Sequence, residues 1–488
     1  MSEPELPDRV DPMFDRTPPF AAGDGPPDPV VYDGSAAALR QRVVNFAAKR
    51  FADMLYVSGL DRATAERHFR WRPVERPGSL GARPAPSPDA AFALLKAQRA
   101  GRIAIASDDA TRTVTVRWQH DSAEITGRAV APPGYGGILL GPAERPRFDP
   151  APIARAAGEP ARPWPVGDAV ETPRPLPAVS DAADALFAAS PGLYGILIAT
   201  PERVLFERYS AFGAPDRATP SWSMGKAVTC TVIGRLIQEG WLRSPYDPAR
   251  APLWRDPRAP HQQITLDHLL RMRSGLGMPV LHEDGRVTLG FENSAVYHDA
   301  ADAFDFAQRQ IVATVPGSVF RYVNSGINVL GAIIRAEIEK RGLPYHAGLY
   351  SLLADRLGMR SFQHSADIAG NLIASGAAFA TLRDYAKLGV LYLRDGVWKG
   401  ERLLPAGWAD YALRPTHSGS SYAACFRSNA DRFFPQLPAD AAWASGASEQ
   451  RIVILRRQGL TAAIANETDH PIDHQALGRT IAAAIDSR

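Results

Sequence analysis

The stretch Ser221-Trp222-Ser223-Met224-Gly225-Lys226, which opens SWSMGKAVTCTVIGRLIQEG (221–240), decides how this chain is read. Apolar residues recur through it at helical spacing, and Gly240 stands where a left-handed residue ends a helix, so the pattern predicts a long amphipathic helix over about 223–239. Ser223 and Lys226 then share its first turn, three residues apart on one face. The free N–H groups and positive end of a helix favour an alkoxide and an oxyanion there, and an amine beside a hydroxyl can take its proton. A phosphate-binding loop needs glycine where Pro220 stands and Ser or Thr where Ala227 stands, so Gly225-Lys226 is not one.

Outward from this helix, residues 194–200 and 204–209 read as two antiparallel strands joined by a short turn at Pro201 and Glu202. Helices are expected over 266–272, 301–313, 327–341, 349–357 and 382–393, then strands over 451–455 and 461–466, then a helix over about 473–485. Strands, helices, then strands and a helix predict a sheet domain with a helical insertion. Two further stretches carry chemistry. In VPGSVFRYVNSGINVLG (315–331), Tyr322 and Asn324 lie two apart on a turn before a helix, where a phenol can act as acid and base and an amide can grip a substrate or the lysine. The bland alternative there is Asn324 or Ser325 as a helix cap. Ala444-Ser445-Gly446-Ala447 leads into a strand and could offer edge backbone to a substrate and one oxyanion N–H, or be a plain small-residue turn.

In this order the three stretches resemble the motif set of penicillin-recognising serine hydrolases: S-x-x-K, then Y-x-N, then a K-T-G-like strand. The surrounding text, including ITLDHLLRMRSGLG, LADRLGM and DIAGNLIASGAAFATLRDYAKLGVLYLRDGVWKGERLLPAGW, resembles the class C β-lactamase-like and penicillin-binding-protein-like branch, and within it the 6-aminohexanoate-dimer hydrolases. The similarity runs from about Tyr194 to the C-terminus. It implies a mixed α/β (α+β) fold, an antiparallel sheet flanked by terminal helices with an inserted helical domain over about 265–400, and an acyl-serine mechanism with no cofactor and no metal. Carried over, Ser223 matches the nucleophile, Lys226 its general base and Tyr322 the second acid/base that protonates the leaving group. Asn324 matches the hydrogen-bonding amide of the second motif, and the backbone N–H groups of Ser223 and Ala447 match the oxyanion hole beside Ser445 and Gly446. Trp222, next to the nucleophile, is either pocket wall or core. Tyr297 and His298 fall, with Asp299, in the long polar-aromatic segment 278–306 where the family's pocket loops lie, and are expected as substrate contacts or as solvated loop residues.

Antibiotic-processing members carry a lysine where this chain has Ala444. Loss of such a charge-assisted hydrogen bond, about 1.5–3 kcal/mol, weakens recognition of a carboxylate by about one to two orders of magnitude, unless Arg451 supplies the charge. The expectation is therefore an amide or ester hydrolase acting on a small, uncharged or weakly charged substrate. The alternatives are a β-lactamase or D-alanyl-D-alanine peptidase, and a non-catalytic binding protein on the same scaffold.

The chain has 488 residues, 45% hydrophobic and 22% charged, with a formal net charge of +3, which gives no bias toward nucleic acid or membrane surfaces. A small-molecule substrate is the only partner expected, and oligomeric state is not legible. Two cysteines, Cys230 and Cys425, build neither a disulfide framework nor a zinc site, and His470-x-x-x-His474 lacks a glutamate and holds a proline, so no metal is expected. The α/β-hydrolase G-x-S-x-G elbow does not occur. More than half of the 42 prolines fall before residue 178. Residues 1–34 are expected extended or disordered, 35–141 a small α+β accessory region with a helix over about 35–54 capped by Ser35 and a strand pair near 102–118, 142–177 a proline-rich linker, and 178–488 the hydrolase domain. An acidic, proline-rich start and the lack of a long apolar run predict a cytoplasmic protein.

Overall fold

The computed structural model describes residues 28–69, 102–141, 145–171, 173–291, 295–299, 301–417, 420–466 and 471–487. Most of the expected N-terminal extended segment, and His470, lie outside them. At the centre is a six-stranded antiparallel sheet, ordered Arg427–Ser428, Ala442–Ser445, Arg451–Leu455, Leu460–Asn466, Leu193–Ala199, Val204–Tyr209. Side chains alternate across it with period two. Ile196, Ile198, Val453, Leu455 and Ile464 face the terminal helices Pro177–Ala189 and His474–Asp486, whereas Leu197, Ile452, Ile454 and Ala463 share a core with helices Lys226–Gln238 and Leu382–Leu393. The helices Leu266–Leu270, Ala303–Gln308, Asn324–Glu339, Tyr345–Leu352 and Leu382–Leu393 all fall between the strands Val204–Tyr209 and Arg427–Ser428, so the helical region is an insertion in the sheet.

Most elements match the sequence pattern within a few residues, and Gly240 takes φ +71° as a helix terminator. Two differ. The helix expected over 301–313 stops at Gln308, and β-branched Ile311–Val312 instead pairs with Leu276 and Gly277. In the segment 278–306, strands Leu276–Leu281 and Val287–Gly290 form a hairpin.

In the N-terminal region, helix Ala36–Ala52 is capped by Ser35, whose Oγ accepts from the Ala38 N–H at 3.2 Å. It lies across a meander of strands Ile103–Asp108, Thr113–His120, Ala123–Val130 and Ile138–Leu139, burying Val43, Ala47 and Phe51 against Val114, Val116 and Trp118. Two short parallel pairings tie this region to the rest: Tyr32–Asp33 beside Val280 and Leu281, and Tyr135–Gly136 beside His364 and Ser365. The proline-rich stretch also lies against the body of the protein. Arg155 binds Asp355 at 2.5 Å, and Asp168 accepts from the buried Lys387 amine at 2.9 Å. Both cysteines are buried and free. No helix among the described residues is long and apolar enough to cross a membrane.

Candidate active site

Strand Thr219–Pro220 pairs with Ala378–Ala380 and delivers the chain to Ser221, whose N–H donates to the Ala378 carbonyl and whose Oγ accepts from the Ala378 N–H at 3.0 Å. Trp222 follows at φ +46°, a left-handed conformation that a bulky side chain adopts only under strain. The next turn is 3₁₀, Trp222–Gly225, and the α-helix begins only at Lys226. This differs from the continuous helix expected from Ser223. It brings the pair closer, because side chains three apart eclipse one another in a 3₁₀ turn. Lys226 Nζ donates to Ser223 Oγ at 2.8 Å and to the Ser375 carbonyl at 2.6 Å. The lysine is 1% exposed, while Ser223 is half-buried.

Around this pair the inserted helices build a polar floor. Ser375 Oγ lies 3.1 Å from the Tyr297 hydroxyl and accepts from Asn328 Nδ2 at 3.3 Å, and the Ser375 N–H donates to Asn328 Oδ1 at 3.2 Å. Lys226 Nζ stands 5.0 Å from the centroid of the half-buried Tyr322 ring. Asn324 is the buried first residue of helix Asn324–Glu339, and Val323 rather than Asn324 or Ser325 holds the cap position. On the opposite side, strand Ala442–Ser445 ends against the turn Trp222–Gly225. A Cβ placed on Gly446 would lie 2.1 Å from the Ser221 carbonyl oxygen and 3.2 Å from the Met224 nitrogen, so only glycine permits this approach. Ala447 follows at the start of a short 3₁₀ turn, and Ser445 Oγ accepts from Arg451 at 3.3 Å.

Arg451 does not stand in for the missing lysine. It forms an ion pair with Glu449, lies 3.2 Å from His474 Nε2 and is covered by Phe433 and Phe434. Burial holds its guanidinium below the usual arginine range. For Glu449, burial acts to raise the carboxyl, but the His474 hydrogen bond and the Arg451 charge together outweigh it and hold it low.

Tyr297 and His298 are not solvated loop residues: both are buried in the short helix Ala295–His298. Tyr297 reaches the polar floor, but the described contacts of His298 and Asp299 run to the N-terminal region. The His298 carbonyl accepts from Asn45 Nδ2 at 2.9 Å, its ring lies 4.9 Å from Phe46, and Asp299 pairs with Arg42 at 2.9 Å. Burial pushes the Asp299 carboxyl up, with Arg42 acting against it. Trp222 is half-buried, stacked on Phe46 and edge-on to Tyr297 at 6.4 Å. Beside it a pocket is lined by Phe46, Lys49, Arg50, Trp222, Tyr297 and Phe379. Sequence reading missed the contribution of Phe46, Lys49 and Arg50, and also Ser375 and Asn328. Asn328 alone had a local signal, one helical turn beyond Asn324 on the same face.

The Beta-lactamase family model matches residues 179–485. A curated relative, the 6-aminohexanoate-dimer hydrolase of Paenarthrobacter ureafaciens, is 27% identical over 231 residues, 44% of this chain. The chain spans 56% of that relative's length. Among solved structures, a Bacillus anthracis protein provisionally assigned as a 6-aminohexanoate-dimer hydrolase superposes with a TM-score of 0.51 at 18% identity, over 62% of this chain and 81% of its own. A penicillin-binding protein homologue from Caulobacter crescentus does so with a TM-score of 0.50 at 19% identity, over 66% of this chain and 100% of its own. At such identities the likeness is one of fold. With the family model covering well over half of its length, the chain belongs to the Beta-lactamase family.

Proposed function

We propose that this protein is a serine hydrolase that cleaves an amide or ester bond of a small substrate through an acyl-Ser223 intermediate. The observation that carries the reading is the 2.8 Å hydrogen bond from the buried Lys226 amine to Ser223 Oγ. Lys226, as the neutral amine, takes the hydroxyl proton as Oγ attacks the carbonyl carbon. The backbone N–H groups of Ser223 and Ala447 receive the developing oxyanion at the start of the nucleophile helix. Tyr322, beside the lysine, gives a proton to the departing nitrogen or oxygen and takes one back from the water that releases the acid. Asn324 and the edge backbone at Ser445 and Gly446 hold the substrate, and Trp222 and Tyr297 wall the pocket. The likeness to 6-aminohexanoate-dimer hydrolases favours amides of small acids among the substrates.

A β-lactamase or cell-wall peptidase is the second reading, and Ala444 at the lysine position of the third motif counts against it. The test is intact-mass spectrometry after a fluorophosphonate probe. One adduct on the wild type, lost in Ser223→Ala together with turnover of short p-nitrophenyl esters, is the expected result. An unlabelled wild type, or full esterase activity in Ser223→Ala, overturns the assignment in favour of a binding protein. Nitrocefin hydrolysis and labelling by a fluorescent penicillin separate the second reading from the first.

A further inference from the structure

The hairpin that carries Ala447 is bent in a way its own residues disfavour. Ser445 and Arg451 face each other across the two strands, the chain turns through residues 446–450, and the Gly446 N–H donates to the Gln450 carbonyl at 2.8 Å. Two consecutive non-glycine residues of that turn, Ser448 at φ +55° and Glu449 at φ +66°, are left-handed. Such residues persist only where their surroundings hold them. Here the Glu449 side chain makes the holding contacts. Its Oε2 receives Arg451 Nη2 and also His474 Nε2, the latter at 2.9 Å, and Arg451 Nη1 returns to Ser445 Oγ at 3.3 Å. A carboxylate only accepts, so His474 carries a proton on Nε2. His474 is the first residue of helix His474–Asp486, whose Leu477 and Ile481 are buried in the core on the outer face of the central sheet, and the Phe433 ring lies 4.9 Å from the imidazole. The imidazole is thus fixed from outside the turn. Neither Glu449 nor His474 has a part in the proton transfers of the Ser223 reaction.

We propose that Glu449 and His474 are positioning residues for the oxyanion hole, fixing the turn 446–450 so that the Ala447 N–H stays aimed at the oxyanion formed on acylation of Ser223. The inference rests on the reading of Ser223 as nucleophile and of Ala447 as an oxyanion donor. The backbone of the turn sets the direction of that N–H, and the turn has two supports. On one side Gly446 lies against the turn Trp222–Gly225, where an added Cβ would be 3.2 Å from the Met224 nitrogen. On the other, the Glu449 carboxylate ties the turn to Arg451 and His474. With the second support removed, the two left-handed residues relax toward the ordinary right-handed region and the N–H tilts away. An oxyanion donor acts by being aimed in advance at the charge that develops, so a tilted turn costs rate while the fold is kept.

The experiment uses the full chain, with the concentration of active sites fixed by fluorophosphonate titration. The probe is butylboronic acid: its boron accepts the Ser223 Oγ electron pair, the hydroxyl proton passes to Lys226, and a boron-bound hydroxyl then occupies the oxyanion position. His474→Ala is expected to raise the inhibition constant of this probe and to lower kcat/KM for p-nitrophenyl butyrate in parallel, each by about tenfold, with KM little changed. A lost oxyanion donor costs about 10²–10³-fold, and a misaimed one less. Glu449→Gln, which takes the charge from both donors, is expected to cost at least as much. His474→Gln brings the inhibition constant back to within threefold of the wild type, because an amide N–H reaches the same place. A merely structural role lowers the fraction of active sites and leaves the inhibition constant where it was. A shift of less than threefold in His474→Ala therefore overturns the proposal, and so does a larger shift that His474→Gln does not correct. If Glu449→Gln does not fold, the two His474 variants decide alone. Failure of the Ser223 reading is distinguishable, since the wild type then carries no fluorophosphonate adduct and the boronic acid does not inhibit it.

Discussion

Phe46 of the N-terminal helix stacks on Trp222, the residue before Ser223, with ring centroids 5.9 Å apart and planes 28° from parallel. Trp222 has φ +46°, and the rings of Phe46 and Tyr297 hold it in place from two sides. The accessory region thereby lines the pocket beside Trp222. Phe46 is 7% exposed. Replacing it with alanine is expected to cost about 3–5 kcal/mol in denaturant unfolding, as for other buried phenylalanines. It should also shift the ratio of kcat/KM for long over short acyl esters upward, because the removed ring opens the space beside Trp222. A variant that loses stability with the ratio unmoved would show that Phe46 only packs.

Lys226 is placed to act on Ser223 through one short hydrogen bond and is held by the Ser375 carbonyl on its other side. Removal of a general base costs about 10²–10⁴-fold. Lys226→Ala is expected to slow formation of the fluorophosphonate adduct by that factor. Lys226→Arg should not restore it, since a guanidinium stays protonated. A variant labelled at the wild-type rate would remove Lys226 from the chemistry.

Elements with local causes were legible in the sequence. Helix Leu382–Leu393 matched to the residue because its apolar stripe and the Thr381 cap are both local, and strand Arg451–Leu455 because its β-branched run has no helical reading. The adjacency of Ser223 and Lys226 was legible from spacing, but the 3₁₀ geometry was not, since three residues fit one turn of either helix. What sequence could not show depends on docking. Tyr297 and His298 read as loop residues until the helix Ala36–Ala52 covers them, and nothing around Ser375 repeats with a period. The expectation of an uncharged or weakly charged substrate rested on Ala444 at the lysine position of the third motif.

Gly446 carries a further prediction. Its φ is −122°, so an added methyl meets no backbone restriction and the cost is contact alone: 2.1 Å to the Ser221 carbonyl oxygen, which is backbone and cannot swing aside. Gly446→Ala is expected to push the strand end away from the nucleophile turn. Ester turnover should fall at least tenfold, as for loss of an oxyanion donor, which typically costs about 10²–10³-fold. Gly446→Ala with wild-type turnover would separate this strand end from the site.

The small sheet beside the nucleophile turn contains a buried imidazole whose titration sets an acid limit. His364 is 3% exposed on strand Gln363–Ser365, and burial pushes its pKa from 6.5 down to about 4. The folded protein therefore holds the ring neutral, and the unfolded chain binds more protons in that interval. Stability from this residue is fully present above about pH 6.5 and is lost as pH falls through about 4, for a total of about 3 kcal/mol at about 1.4 kcal/mol per unit. His364→Gln, which cannot titrate, should lose less stability on acidification. The difference in unfolding free energy between variant and wild type, measured in urea at steps from pH 7 to pH 4, is expected to move in the variant's favour by most of that amount. A pH-independent difference would place the acid limit on another group.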